Sequence, residues 1–376
     1  MNRLVALAMP AGAPFVDELR RAWDAGDAVV PVDDRLPPVL VARLLDELGV
    51  AEVVDATGAR SAREHAAARP VEPGDALVMA TSGTTGQAKG VVLTHAAIEA
   101  SSAATSARLG VDPARHRWLA CLPVAHIGGL SVILRALHTS TPLVVLPAFD
   151  ATAVMAAADN GATHVSLVAT ALQRIEPHRF ERIVLGGSRP PATVPPNCSV
   201  TYGMTETASG IWYDDRALDG VEVEIRDGEI RVRGPMLLRC YRDGTDPKTP
   251  DGWLPTGDSG SFDARGRLVV HGRRGDMIVT GGENVWPAAV EAVLETHSAV
   301  AEVLVRGETD DEWGQVVVAH VVPVDPSEPP ALGSLRTFAR DLLPPYALPR
   351  RLVLTSSLPR TALGKLRRDA PRSPRD

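Results

Sequence analysis

Along the first half of the chain, short apolar blocks are separated by longer stretches of helical spacing. Leu4–Met9, Ala28–Val32 and Ala51–Val54 are runs of strand length, and residues 14–25 and 37–48 between them read as helices. Further on, Trp118–Val124, Leu143–Leu146, His164–Val168 and Ile183–Leu185 are strand-like, while the alanine-rich stretches 95–109, 128–139 and 151–159 are helix-like. Alternation of this kind predicts an α/β fold, with a large N-terminal domain of mixed and parallel sheets flanked by helices.

The pattern changes after residue 220. Val221, Val223 and Ile225 alternate with charged residues, Asp227-Gly228 follows, and Ile230 and Val232 alternate again, which predicts a hairpin around a tight turn. Strand-like pieces continue to Leu268–Val270. Beyond the polar stretch Gly272-Arg273-Arg274-Gly275-Asp276 come a helix at 287–296, strands near 300–305 and 316–323, and a helix at 334–342. This order predicts a domain boundary near 273–276, with an N-terminal core over residues 1–273 and a small α+β lid over 276–376. The Arg/Pro/Asp-rich tail beyond Arg367 is expected to be disordered.

Composition narrows the classes. The 376 residues are 45% hydrophobic, enough for a large core and more than one domain. A net charge of −7 gives no basic field for nucleic acid. Cys121, Cys198 and Cys240 are too widely spaced for a metal site or a disulfide framework, which fits a reducing cytoplasm. No run approaches the ~18 apolar residues that span a bilayer. Arg3, Leu4–Met9 and Pro10-Ala11-Gly12-Ala13 echo a secretory signal, but six apolar residues are too few, so a buried first strand is expected.

Of the 39 basic residues only Lys89, Lys248 and Lys365 are lysine. Lysine offers a compact ammonium on a flexible stem where arginine presents a planar fork, so the survivors mark places to look. Lys248, in a Pro/Asp/Gly loop, is expected to be a solvated charge. Lys89 closes Thr81-Ser82-Gly83-Thr84-Thr85-Gly86-Gln87-Ala88-Lys89-Gly90, directly after the apolar run Ala76–Ala80. Glycines let backbone N–H groups turn toward an anion, hydroxyls add donors and Lys89 adds charge, as a triphosphate requires. Ala88-Lys89-Gly90 is not the Gly-Lys-Ser/Thr of a Walker A loop, which disfavours P-loop kinases and GTPases.

Three weaker segments follow. In Tyr202-Gly203-Met204-Thr205-Glu206-Thr207, Glu206 and Thr205 offer oxygen ligands for Mg²⁺ bound to phosphate, although a turn around one buried tyrosine gives the same pattern. Thr256-Gly257-Asp258, with Arg273 15 residues on, suits a ribose diol or a plain turn. Pro359-Arg360-Thr361-Ala362-Leu363-Gly364-Lys365 holds a lysine on a glycine-bearing loop, able to reach a site elsewhere or to sit in solvent.

Together and in this order, with Gly272–Ile278 and Gly281-Gly282-Glu283-Asn284, these segments resemble the adenylate-forming superfamily of acyl-CoA ligases, luciferases and peptide-synthetase adenylation domains. The resemblance runs from about residue 76 to 367. It implies an ATP-dependent ligase that activates a carboxylate as an acyl-adenylate and passes it to coenzyme A. Thr81, Ser82, Gly83, Thr84, Thr85 and Lys89 would hold the ATP phosphates. Gly186-Gly187-Ser188, Tyr202 and Gly203 would frame adenine and the acyl pocket. Thr205 and Glu206 would bind phosphate and Mg²⁺, and Asp258 and Arg273 the ribose. Lys365 would stabilise charge gathering on the α-phosphate. Gly275 falls at the family's hinge, and Gly281 and Gly282 would line the thiol tunnel.

Only 80 residues precede the phosphate loop, fewer than in most of that superfamily. This build, Pro123-Val124-Ala125-His126-Ile127-Gly128-Gly129-Leu130 and Gly282-Glu283-Asn284-Val285-Trp286-Pro287 resemble the short o-succinylbenzoate–CoA ligases of menaquinone synthesis. His126 would then face the acyl site, or its ring would be hydrogen-bonded locally at a helix start. Arg135, Arg174 and Arg189 are candidates for a second substrate carboxylate. The short N-terminus implies a pocket that is more open or completed by a second subunit, as in a homodimer. Rival readings are a medium-chain or aryl acid–CoA ligase, an adenylation enzyme loading a carrier protein, and a catalytically dead scaffold. A Rossmann oxidoreductase is disfavoured because no G-x-G-x-x-G follows the first strand.

Overall fold

The computed structural model describes residues 2–33, 35–63, 70–82, 88–187, 190–191, 193–360 and 368. Backbone contacts group Met1–Val223 with Val232–Leu254 in one compact unit, and Glu224–Arg231 with Pro255–Asp376 in another.

In the first unit the earliest apolar run becomes the strand Leu4–Ala8, wholly buried but for its last residue, at the middle of a sheet. It pairs in parallel with Ala28–Pro31 on one side and Glu52–Asp55 on the other. Asp75–Ser82 adds a further parallel neighbour. The helices Ala13–Asp24 and Pro38–Leu48 connect the first three strands, as their spacing predicts. Leu4, Ala6, Val30, Leu45, Leu48, Val78 and Val92 share one apolar cluster. Each fully buried side chain of this kind contributes about 1.5–3 kcal/mol. Three antiparallel strands complete the seven: Arg60–Ala62 at one edge, Ala88–Thr94 beside Asp75–Ser82, and Cys240–Tyr241 at the far edge.

A second seven-stranded sheet holds the parallel run Leu143–Val145, Trp118–Ala120, His164–Leu167, Arg182–Leu185 and Cys198–Met204, followed by antiparallel Ser209–Tyr213 and Arg216–Ala217. Its helices include His95–Leu109, Ile127–His138 and Ala151–Asp159. The strand expected over Trp118–Val124 ends at Ala120, as the chain reaches Pro123 and turns into the helix Ile127–His138. Among the described residues no helix is long and apolar enough to cross a membrane.

The second unit contains the turn and inner residues of the predicted hairpin, Glu224–Arg231. Glu222–Arg226 and Glu229–Arg233 flank Asp227 and Gly228, both at positive φ (51° and 73°), the geometry an Asp-Gly turn favours. With Leu254–Phe262 and Leu268–Arg273 these strands form a four-stranded sheet. The hairpin of the last two strands therefore groups with the C-terminal segment, upstream of the 273–276 boundary expected from sequence. A five-stranded sheet follows, built on the long antiparallel pair Val300–Asp310 and Gly314–Pro323, with Arg351–Leu354 parallel beside it. The helices Pro287–Leu294 and Leu332–Ala339 contribute Val290, Leu294, Leu335 and Ala339 to its apolar core.

Cys240–Tyr241 is only two residues long, too short to hold a sheet edge by backbone pairing alone. Its neighbour Arg239 fixes it. The guanidinium donates from Nε to Asp75 Oδ1 at 2.8 Å and from Nη2 to Oδ2 at 2.9 Å, and from Nη1 to Glu72 Oε1 at 2.7 Å. Asp75 is 2% exposed. The hydrogen bond to Asp75 is the leading cause that raises the Arg239 pKa. Arg239→Met would leave a buried carboxylate unpaired, which costs about 3–5 kcal/mol. The expected outcome is a thermal transition lowered by several degrees that 0.5 M salt does not restore; a melting curve unchanged from wild type would refute the assignment.

Candidate functional site

The strands Trp118–Ala120, His164–Leu167, Arg182–Leu185 and Cys198–Met204 run parallel, so the chain leaves each at the same edge of its sheet. Open α/β sheets bind ligands at that carboxyl edge. Three segments singled out from the sequence emerge there. Pro123–His126 follows the first strand, Gly186 and Gly187 follow the third, and Tyr202–Glu206 closes the fourth. Gly186 N donates to Leu167 O at 3.2 Å, and Gly187 takes φ +81°.

The Tyr-Gly-Met-Thr-Glu segment has a steric reason for its glycine. The neighbouring strand crosses so closely that a Cβ on Gly203 would lie 2.2 Å from Ser209 O. A register shift between Tyr202 and Gly203 accompanies this approach. Thr205–Thr207 then forms a single 3-10 turn. Thr207, 1% exposed, ties it down: its Oγ1 accepts from Met204 N at 3.0 Å and donates to Ser209 O at 2.6 Å. Thr205 and Glu206 are held half-buried on that turn.

Glu206 meets the far sheet edge. Its carbonyl accepts from Leu238 N at 2.7 Å, and its Oε1 accepts from the Tyr241 hydroxyl at 3.1 Å. The Tyr241 ring lies under Lys89, whose Nζ is 5.0 Å from the ring centroid. Lys89 is exposed, opposite Thr81, whose Oγ1 donates to Lys89 O at 3.2 Å. The two strands around the phosphate loop thus form one antiparallel pair, Asp75–Ser82 with Ala88–Thr94. Gly83, Thr84, Thr85, Ser188, Arg189 and Lys365 lie outside the described residues, as does the side chain of Ser82.

The donor set suits Mg²⁺. Glu206 Oε2 has no hydrogen-bond partner among the described residues. Those residues also include no group of three or more His, Cys, Asp or Glu able to hold a metal by itself. A carboxylate and an ammonium that both contact Tyr241 could share Mg²⁺ with substrate phosphates, as that ion is commonly held.

His126 is the N-cap of the helix Ile127–His138, and its carbonyl accepts from Gly129 N and Leu130 N. Its ring makes no capping bond. It lies near Asp33, whose carboxyl is held below the usual range chiefly by the hydrogen bond from Arg35, with a smaller share from His126. On the same helix Arg135 is sealed at 1% exposure, with its guanidinium 4.7 Å from the Trp118 ring centroid. Nη2 reaches Ser209 Oγ at 3.5 Å, and Nε and Nη1 have no partner among the described residues. Burial lowers its pKa. Arg174 is exposed and lies against Phe149. Lys248 is not a solvated charge: its Nζ donates to Leu238 O and Arg239 O, each at 2.8 Å, and lies 2.7 Å from Asp246 Oδ1.

In the second unit, Asp258 and Arg273 are cross-strand neighbours on Leu254–Phe262 and Leu268–Arg273. Arg273 Nε is 3.0 Å from Asp258 Oδ1, and its Nη1 donates to Thr256 O at 2.8 Å. Gly257 takes φ +72° and donates to Glu229 Oε1 at 3.0 Å. The Thr-Gly-Asp segment is therefore part of a strand rather than a free turn. Gly281 and Gly282, at φ +56° and +83°, make the turn between Ile278–Thr280 and Glu283–Val285.

Tyr241 and Glu229 lie in no sequence pattern that marks chemistry, and Thr207 stands in the Tyr202–Thr207 segment with no role of its own there. Tyr241 sits in Cys240-Tyr241-Arg242, and only the pairing of Cys240–Tyr241 with Ala88–Thr94 gives it meaning.

Residues 27–242 match the model of the AMP-binding enzyme family, and residues 289–365 that of the AMP-binding enzyme C-terminal domain. The chain is 33% identical over 326 residues to a 2-succinylbenzoate–CoA ligase of Listeria monocytogenes, covering 78% of this chain and 69% of the relative. It is 36% identical over 332 residues to one of Bacillus cereus, covering 77% and 68%. Its fold is similar to o-succinylbenzoate CoA synthetase from Bacillus subtilis in complex with the acyl-adenylate intermediate, with TM-score 0.86, 28% identity, and 98% and 88% of the two chains covered. The same enzyme in complex with ATP and magnesium ion gives TM-score 0.85 at 29% identity, covering 98% and 88%. By these matches the chain belongs to the AMP-binding enzyme family.

Proposed function

We propose that the chain is an ATP-dependent o-succinylbenzoate–CoA ligase of the cytoplasm. The observation that carries the reading is the grouping of Lys89 and Glu206 about Tyr241, a cation and a carboxylate suited to a phosphate-bound Mg²⁺. The relatives' names support the acid. In the first step a substrate carboxylate oxygen attacks the α-phosphorus of ATP, and the bond to pyrophosphate breaks. In the second, the CoA thiolate attacks the acyl carbonyl and AMP leaves.

Lys89, Thr81 and the loop between them would hold the phosphates, and Glu206 with Thr205 would hold Mg²⁺, which neutralises phosphate charge when bound. Asp258 and Arg273 would take the ribose, while Gly186, Gly187 and Tyr202 would take adenine and the acyl group. Lys365 would stabilise the charge that develops at the α-phosphate. Of the arginines weighed for a second carboxylate, Arg135 has the best support among the described residues: it is buried, its Nε and Nη1 have no partner among those residues, and it shares a helix with His126. Such a donor pair is worth about 10–100-fold in affinity.

The reading is tested by pyrophosphate release with ATP and Mg²⁺ across o-succinylbenzoate, benzoate and medium-chain acids, with and without CoA. Strong CoA-dependent release confined to o-succinylbenzoate is expected; silence on every acid would overturn the ligase reading. Arg135→Met removes an unpaired buried charge at similar volume, so it should fold. It should raise KM for o-succinylbenzoate at least about tenfold and leave KM for ATP unchanged; an unchanged acid KM would remove Arg135 from the site.

Two further variants separate the steps. Lys365→Ala should slow adenylate formation by about 10²-fold or more while sparing transfer from supplied acyl-adenylate. Equal loss of both steps would discard its assigned role. Gly275 is exposed, and a Cβ there would meet nothing within 4 Å, so this conformation does not demand glycine. We assign its freedom to a change of backbone conformation between the two steps. Gly275→Pro should then spare adenylation and impair thiol transfer; full transfer activity would argue against a hinge at 274–276.

A further inference from the structure

We propose that Tyr241 is a positioning residue, which sets the orientation of the Glu206 carboxylate and the place of the Lys89 ammonium in one rigid element. This rests on the ATP-binding reading given above. Lys89 and Glu206 come from distant stretches of sequence, and each is a flexible charged side chain. Tyr241 touches both with different chemistry. Its ring face receives the ammonium at 5.0 Å, within cation–π reach, and its hydroxyl donates to Glu206 Oε1 at 3.1 Å.

Tyr241 can serve as a spacer because its backbone is fixed on several sides. Tyr241 pairs with Val91 and Cys240 with Val92 on the strand that carries Lys89. Arg239 anchors the preceding residue to buried Asp75. Lys248 holds the carbonyls of Leu238 and Arg239, and Leu238 N holds the carbonyl of Glu206. A tyrosine has two side-chain torsions, so little freedom remains once its backbone is set. Engaging Oε1 fixes the rotation of the carboxylate and leaves Oε2 as the acceptor available to a cation. Mg²⁺ demands near-octahedral geometry, so the aim of a lone protein carboxylate should decide how much the metal adds to ATP binding.

The test is equilibrium binding of ATP to the full chain by calorimetry, once with excess Mg²⁺ and once in EDTA. It needs no turnover, so it fails or succeeds apart from the pyrophosphate assay that judges the ligase reading. Tyr241→Phe keeps the ring and loses the hydroxyl. Its ATP affinity in EDTA should stay within about twofold of wild type, while its affinity with Mg²⁺ falls about three- to tenfold. Tyr241→Leu loses both contacts and should weaken binding in both conditions. Glu206→Gln should abolish the gain from Mg²⁺, and adding Tyr241→Phe to it should cost nothing further, because the hydroxyl acts through that carboxylate. Equal weakening of Tyr241→Phe with and without Mg²⁺, losses that add to those of Glu206→Gln, or a wild-type affinity indifferent to Mg²⁺ would each overturn the proposal.

Discussion

The ion pair of Arg239 with buried Asp75 is the constraint on which the far edge of the first sheet depends. Asp75 begins the strand Asp75–Ser82, and Arg239 precedes the two-residue strand that carries Tyr241. A carboxylate sealed from water must be matched by a cation with good geometry, and the two-pronged guanidinium supplies it. The pair therefore fixes register as well as proximity. It sets which residue of the returning segment faces Lys89, and the remaining contacts of that segment refine a placement already decided.

Much of the fold was legible because its elements announce themselves locally. The buried strand Leu4–Ala8, the helices after it and the Asp227-Gly228 hairpin all follow from periodicity and turn chemistry within a few residues. What escaped was non-local. No pattern within Cys240-Tyr241 marks a strand; its partner lies far upstream, and only the folded sheet pairs them. Lys248 was misjudged for a related reason. Its loop looks solvated, yet two carbonyls and a carboxylate converge on its ammonium from residues on either side of a turn. Arg135 was visible only as one of several arginines, since burial and missing partners cannot be read from spacing.

The scarcity of lysine was informative in an unexpected way. Lys89 stands over an aromatic face, while Lys248 donates to two main-chain oxygens and lies beside the Asp246 carboxylate. Both ammonium groups sit in compact surroundings, one over an aromatic ring and the other among main-chain oxygens. A rare residue type thus points to tight local geometry first, and to chemistry only when a strand edge or turn brings other charges beside it.

The pairing of Cys240–Tyr241 with Ala88–Thr94 also bears on how the chain is made. A ribosome releases the N-terminal strands long before residue 240, so the edge Ala88–Thr94 must wait, with unpaired N–H and C=O groups, while the whole second sheet is synthesised. Open edges of apolar strands invite pairing with other chains. At ordinary elongation rates that wait lasts on the order of ten seconds or more. During that interval the outer edge of Ala88–Thr94 lies open to other chains, and the returning two-residue strand then pairs with Val91 and Val92.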